Sequence, residues 1–316
     1  ASITTLLLAQ ADSYQSLLLL RALQGFFLGG LPAIAIAYMG DEFSQRALLV
    51  SVGLYISGNT LGGISGRLVG GFVGDWLGWR EAFWVMGGIS LVCVSAFWWL
   101  LPASQHFSRQ SLHPVRMAAA MGRHLRTPAL LIAYLIGGFN FFIFINQYSY
   151  ITFVLAADPY HLSASWLGLL FLTYLSGTVG SAISGKVAQR IGQPACIALG
   201  VLILMCGSCV TLLPGLSAII GGFFISSFGF FFAHSTASSW VSRHAVTAKA
   251  SASSLYLLFY YLGASSGGFY LDPFWQSHGW EGVVLGSLLI LSGTLLASGL
   301  LFRLSNTDAG RMIGAR

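Results

Sequence analysis

The chain is poor in charge. Fifteen basic and nine acidic residues are spread over 316 positions, 8% of the total, where an average soluble domain carries about 25%. So small a set cannot cover a water-facing surface, which excludes the two soluble domains that this length would ordinarily suggest. Cysteine is scarce as well. Cys93, Cys196, Cys206 and Cys209 all lie in apolar runs, where a thiol acts as a small hydrophobe, and they form neither a disulfide framework nor a metal motif. The net charge of +6 has no groove-sized basic cluster behind it, so nucleic acid is excluded as a partner. Catalytic patterns are missing too: there is no H-E-x-x-H and no pair of aspartates deep in an apolar run. An intramembrane protease or acyltransferase is therefore disfavoured, and neither a cofactor nor a metal is expected.

What the sequence has in quantity is apolar surface, at 56% of residues. A membrane-crossing helix takes about 20 mainly apolar residues. Such runs fall at roughly 15–39, 47–71, 82–101, 128–155, 164–185, 194–213, 216–241, 250–271 and 283–302, and residues 1–11 read as the tail of one more. The runs do not alternate as barrel strands must, so the expected class is an all-α polytopic membrane protein. Turn chemistry or charge marks the breaks, at Asp12-Ser13, Gly40-Asp41-Glu42, Gly78-Trp79-Arg80-Glu81, Asp158-Pro159, Gly192-Gln193-Pro194, Pro214-Gly215 and Asp272-Pro273. Only residues 102–127 make a long connection, polar and basic.

Charge sorts itself between the two sides. Assigning the breaks alternately gives one side Arg46, Arg109, Arg116, Arg123, Arg126, Lys186, Arg190, Arg243, Lys249, Arg303, Arg311 and Arg316, with Asp41, Glu42 and Asp308 as its acids. The other side receives Asp12, Asp75, Glu81, Asp158, Asp272 and Glu281, with Arg80 as its lone base. Cytoplasmic connections carry the excess of Lys and Arg, so the long loop and the C-terminus are expected in the cytoplasm.

The chain also matches itself at an offset of 201: Leu54-Tyr55 on Leu255-Tyr256, Gly62 on Gly263, Gly66 on Gly267 and Gly78-Trp79 on Gly279-Trp280. A repeat of that length holds six spans, and an even number makes the halves parallel. The offset projects two further spans ahead of residue 1. The visible chain therefore reads as spans 3–12 of twelve, lacking roughly 75–90 residues, about two spans with their connections. The expected division is an incomplete first half over 1–101, the loop 102–127, a second half over 128–303 and a cytoplasmic tail over 304–316.

Particular motifs carry a family resemblance. Leu20-Arg21-Ala22-Leu23-Gln24-Gly25 in span 4 resembles the R-x-x-Q-G motif of the major facilitator superfamily. In span 5, Gly53, Gly62, Gly66, Gly70 and Gly71 match the pattern G(x8)G(x3)GP(x2)GG of its drug:proton antiporters, with Arg67 where the pattern has proline. Residues 185–192, GKVAQRIG, resemble the second copy of G-x-L-a-D-r-x-G-r, with Gln189 in place of aspartate. The stretches from Gly53 to Thr60 and from Ala233 to Trp240 are similar to a bacterial inner-membrane branch described as arabinose-efflux-like. The resemblance covers the whole visible chain. It implies the major facilitator fold, with two parallel six-helix halves, spans 1, 4, 7 and 10 at the centre, and alternating access.

Several residues then stand out. Arg21 sits within the outer half of span 4, and an arginine facing hydrocarbon costs at least about 2.5–3.5 kcal/mol. It should face a cavity or a polar partner, with Gln24 one turn below as a neighbour; the resemblance implies a role in proton coupling. Asp12 is the alternative partner, in which case Arg21 only anchors a loop. Arg67 keeps the N–H that proline lacks and cannot kink span 5 in proline's way. It is either a gate cation or an interfacial arginine within reach of Asp75. Gly62, Gly66 and Gly70 present a flat face for close packing, expected against the other half. Gly185, Arg190 and Gly192, with the span 5 glycines and Arg67, form the expected conformational motif.

His234 lies among Ser235, Thr236, Ser238 and Ser239 and is either a proton relay or a neutral side chain bonded to a nearby hydroxyl. Span 7 carries Asn140, Asn146, Gln147 and Tyr148, too many polar groups for lipid. They line a cavity or bind helices together. Tyr55, Asn59, Tyr174, Tyr256 and Tyr260 are further cavity candidates, and Trp76, Trp79, Trp84, Trp275 and Trp280 suit an outer aromatic belt. The function expected is proton-coupled export of small molecules by a monomer in the bacterial inner membrane, its partners being substrate, protons and the bilayer. The alternative is uptake of a sugar or organic acid.

Overall fold

The computed structural model describes residues 1–43, 45–105, 114–245 and 247–313. Arg109 and Arg316 lie outside the described residues, as do the side chains of Asp41, Arg46, Arg116, Asp308 and Arg311. The described chain is helical throughout: α1 (Ser2–Leu8), α2 (Tyr14–Gly29), α3 (Leu31–Glu42), α4 (Gln45–Trp76), α5 (Trp79–Leu100), α6 (Pro114–Leu125), α7 (Pro128–Ala156), α8 (Ala164–Leu169), α9 (Tyr174–Ile191), α10 (Gln193–Val210), α11 (Leu216–His244) and α12 (Lys249–Ile313). A single 3₁₀ turn, Leu170–Thr173, joins α8 to α9. Non-helical backbone at His278 and Gly279 divides α12 into two helices.

Six stretches are long and apolar enough to cross a bilayer: Trp79–Leu100, Pro128–Ala156, Ala164–Ile191, Gln193–Val210, Leu216–His244 and Lys249–Ser305. The last holds two crossings, one on each side of Gly279. With α1, the α2–α3 pair and α4, ten segments result, as the apolar runs predict. Large apolar side chains stand outward, among them Phe26, Trp98, Trp99 and Leu100 at 79%, 81%, 87% and 80% exposure. Lipid is the solvent in which such a surface is stable.

Glycine sets the breaks. Gly78 begins α5 at φ +114 and its repeat mate Gly279 begins the second part of α12 at φ +55. Both positions favour a residue without Cβ, so the matched Gly-Trp pairs do the same structural work. Gly192 and Gly215, at φ +85 and +99, start α10 and α11 in the same way.

Contacts divide the chain into two compact units. The first comprises Ala1–Ser111 with Leu162–Leu172 and the second Leu112–His161 with Thr173–Arg316. In the first, α1 packs on α5, with Leu6 filling the space over Gly87, and Ser2 bonds Ser90 at 2.7 Å. Segment α8 lies on α4. A Cβ on Gly71 would sit 2.7 Å from the Ala164 carbonyl and 3.3 Å from Gly168 Cα. Close packing thus falls on Gly71, whereas Gly62 and Gly70 meet nothing within 4 Å and Gly66 meets only the tip of Met86 at 3.4 Å.

In the second unit, α7 packs along α12 and α10 along α11. Gly138 and Gly263 interlock, as do Gly200, Gly207, Gly222 and Gly229. In lipid there is no hydrophobic drive between helices, so small residues that let backbones approach supply the association. Two features of this unit lay outside the sequence expectation. The connection 102–127 contains α6, whose buried His124 bonds the Ala248 carbonyl at 3.3 Å. The tail at 304–316 continues α12 as helix to Ile313.

Candidate functional site

Arg21 projects from α2 into a cavity of about 620 Å³. The first turn of that helix is fixed by a capping box, in which Ser13 and Ser16 satisfy each other's backbone N–H at 3.1 and 3.2 Å. The cavity walls are Gly66, Gly70 and Gly74 of α4, Trp79, Phe83 and Met86 of α5, and Thr5 of α1. Within it Arg21 Nη1 donates to Gln24 Oε1 at 3.0 Å, and Gln24 Nε2 donates to Thr5 Oγ1 at 2.6 Å. Thr5 in turn donates to the Ala1 carbonyl at 3.0 Å. The guanidinium stands 5.1 Å from the Phe83 ring centroid, a cation–π distance. Gln24 is thus a hydrogen-bonding neighbour of Arg21. Beside Asp12, Arg80 donates to the Ala11 carbonyl at 3.2 Å. No carboxylate among the described residues pairs with Arg21.

Arg67 turns back along its own helix, donating to the Gly63 carbonyl at 2.9 Å and lying 4.6 Å from the Phe171 ring centroid. Asp75 accepts from the Ser165 hydroxyl at 2.8 Å. Hydrogen bonds from Ser163 first, and then from Ser165, hold its carboxyl below the usual carboxylate range. Tyr55 is half-buried and Asn59 exposed on α4; both belong to the first unit.

In the second unit an aromatic array surrounds His234. Tyr256 Oη lies 3.0 Å from His234 Nδ1, and Tyr260 lies 4.6 Å from the imidazole, centroid to centroid. Phe141 stacks on Tyr260 at 3.8 Å, and Phe230 is parallel to His234 at 5.8 Å. His234, Tyr260 and Phe141 remain half-buried while Tyr256 and Phe230 are buried. The partner of His234 is thus a tyrosine of the next helix, not one of the serines beside it in sequence. Gly137 makes room for that tyrosine, since a Cβ there would lie 2.5 Å from the Tyr256 ring.

The polar groups of α7 are divided among neighbouring helices. Asn146 Nδ2 donates to the carbonyls of Phe142 and Ala264 at 2.8 and 3.0 Å, and Gln147 Nε2 donates to Ser208 Oγ at 3.0 Å. Tyr148 meets Ser227 at 2.7 Å. Tyr174 packs edge-on against Tyr148 at 5.0 Å. These four groups tie α7 to α9, α10, α11 and α12. Asn140 is 2% exposed, and its Oδ1 has no hydrogen-bond partner among the described residues. Gly185 stands clear of neighbours, Arg190 sits in the last turn of α9 and Gly192 forms the α9–α10 turn. Phe141 and Phe230 escaped the sequence reading because apolar rings inside apolar helices carry no mark of their own.

Comparison with known proteins agrees with this architecture. A family model described as Major Facilitator Superfamily matches residues 1–268. The uncharacterized MFS-type transporter YybF of Bacillus subtilis is 38% identical over 303 residues, 96% of this chain and 75% of that protein. The inner membrane transport protein YnfM of Escherichia coli is also 38% identical, over 96% of this chain and 73% of its own length. The purine ribonucleoside efflux pump NepI of Escherichia coli is 24% identical over 93% of this chain and 72% of its own. Among solved structures, a bacterial homolog of the human lysosomal transporter Spinster, in an inward-facing and unoccupied conformation, superposes with a TM-score of 0.71 at 17% identity. The superposition covers 97% of this chain and 81% of that one. These relatives are transporters rather than enzymes.

Proposed function

We propose, from the premise that this chain belongs to the Major Facilitator Superfamily, that it exports small molecules across a bacterial inner membrane in exchange for protons. The observation that carries the coupling is the setting of Arg21. A permanent cation is held in an apolar-walled cavity by one amide and one ring face, and such a placement is costly unless it does work. A cation so placed lowers the proton affinity of any carboxylate brought near it and so favours proton release in one state of the cycle. The Gln24–Thr5 chain fixes its direction. Export is supported by the span 5 glycine pattern and by the efflux activity named for NepI. A division of the sequence into halves at 102–127, a cytoplasmic C-terminus and a monomer complete the reading.

The test is proton-gradient-driven transport by the full-length protein at matched membrane abundance. Arg21→Lys should retain part of the activity and Arg21→Ala should lose it, while substrate binding survives in both. Unimpaired efflux by Arg21→Ala would remove Arg21 from coupling and leave His234, with Tyr256, as the next candidate.

A further inference from the structure

A second cavity, of about 240 Å³, lies in the second unit where α9 turns into α10 beneath the end of α11. Eight of its lining side chains carry hydrogen-bond donors; Ser184 and Thr236 give theirs to carbonyls of their own helices, which leaves Ser181 and Gln189 of α9, Gln193 of α10, and Ser235, Ser239 and Arg243 of α11. Within this set the internal bonding is slight. Gln193 Nε2 reaches Ser239 Oγ at a long 3.5 Å, and among the described residues Ser181, Ser235, Gln189 and Arg243 have no side-chain hydrogen bond to the protein. The helices α9, α10 and α11 contain no Asp or Glu. Where the motif resembled by residues 185–192 places an aspartate, this chain has Gln189. The one fixed charge of the cavity is therefore positive and without a counter-charge.

We propose that this cavity binds a phosphoryl oxyanion. Arginine presents a planar fork that suits carboxylate and phosphate alike. The number of donors decides between them. A carboxylate offers two oxygens, whereas hydroxyls and amides converging from three helices, together with the guanidinium, match the larger set of acceptors on a phosphoryl group. The space has room for several waters at ~30 Å³ each, so the ligand needs no opening of the helices. A bound group would bridge the ends of α9, α10 and α11 and tie occupancy to their spacing. The group can come from free phosphate or from an anionic lipid headgroup, which offer the same chemistry.

The experiment is equilibrium binding of radiolabelled orthophosphate to the purified full-length protein in phosphatidylcholine nanodiscs, with no gradient applied. Its outcome is therefore separate from the direction or coupling of transport. Saturable binding at one site per chain is expected, competed by sulfate and not by chloride. Arg243→Gln should weaken it about tenfold or more, the usual scale for a hydrogen bond to a charged group. The paired change Ser235→Ala with Ser239→Ala should weaken it several-fold at an unchanged unfolding temperature, which guards against misfolding. In phosphatidylglycerol discs, loss of orthophosphate binding assigns the site to the headgroup and retention assigns it to the free ion. No saturable binding in the neutral discs, or binding indifferent to both variants, would overturn the proposal.

Discussion

At the scale of single residues, environment decides what each polar group does. Tyr256 Oη reaches His234 Nδ1 at 3.0 Å and the His234 carbonyl at 3.4 Å beneath stacked rings. Tyr256→Phe deletes these hydroxyl contacts and little else, so it should lower stability by about 0.5–1.5 kcal/mol. Combined with His234→Phe its effect should be non-additive in a thermal-unfolding cycle. Additive losses would mean that the two groups act separately. Asp75 offers a pH signature outside the spans. Because Ser163 and Ser165 hold its folded pKa below the ordinary value, its stabilising contribution is full above the unfolded pKa of about 3.9 and fades only as pH falls through the lower folded value. The stability gap between wild type and Asp75→Asn should therefore persist from pH 7 down to about 4 in pH-resolved unfolding; a gap that closes near pH 6 would contradict this. Residue types alone marked Arg21, Gln24 and His234 as out of place in an apolar run. They could not show that Asn146, Gln147 and Tyr148 are bonded between helices, because a helix face reads the same whether it meets a cavity or another helix.

At the scale of elements, close packing without side chains governs the second unit. A Cβ on Gly229 would lie 2.5 Å from Leu204 N and 2.7 Å from the Gly200 carbonyl, while Gly221 of the same helix meets nothing within 4 Å. Gly229→Ala should lower folding yield and thermal stability. Gly221→Ala should be neutral or gain up to about 1 kcal/mol of helix propensity, with fluorescence-detected size-exclusion after a heat step as the measurement. Equal behaviour of the two variants would refute the packing argument. Helix ends were legible where glycine or proline punctuates an apolar run, as at Gly78, Gly192 and Gly215. The span pattern could not reveal α6, which is too short and too polar to register as a crossing. The span 5 glycines were recognised as a motif, yet the packing contact belongs to Gly71, because register against α8 depends on tertiary structure.

At the scale of the molecule, the sorting of charge and the 201-residue offset carried class and repeat before any coordinates, since both are properties of the whole chain. Reporter tags after residue 110 and at the C-terminus should read cytoplasmic, and tags near 158 and 275 periplasmic; a periplasmic report at 110 would reverse the orientation. Substrate chemistry was not legible, because cavity-lining and packing residues draw on the same amides and phenols. The central claim is export driven by protons. Its most direct test is a solute-library assay in everted membrane vesicles containing the full-length protein, with an imposed proton gradient and with a protonophore. The account predicts that at least one solute accumulates in the vesicles only while the gradient stands, and not with Arg21→Ala. Gradient-driven accumulation confined to right-side-out vesicles, or accumulation indifferent to the protonophore, would contradict it.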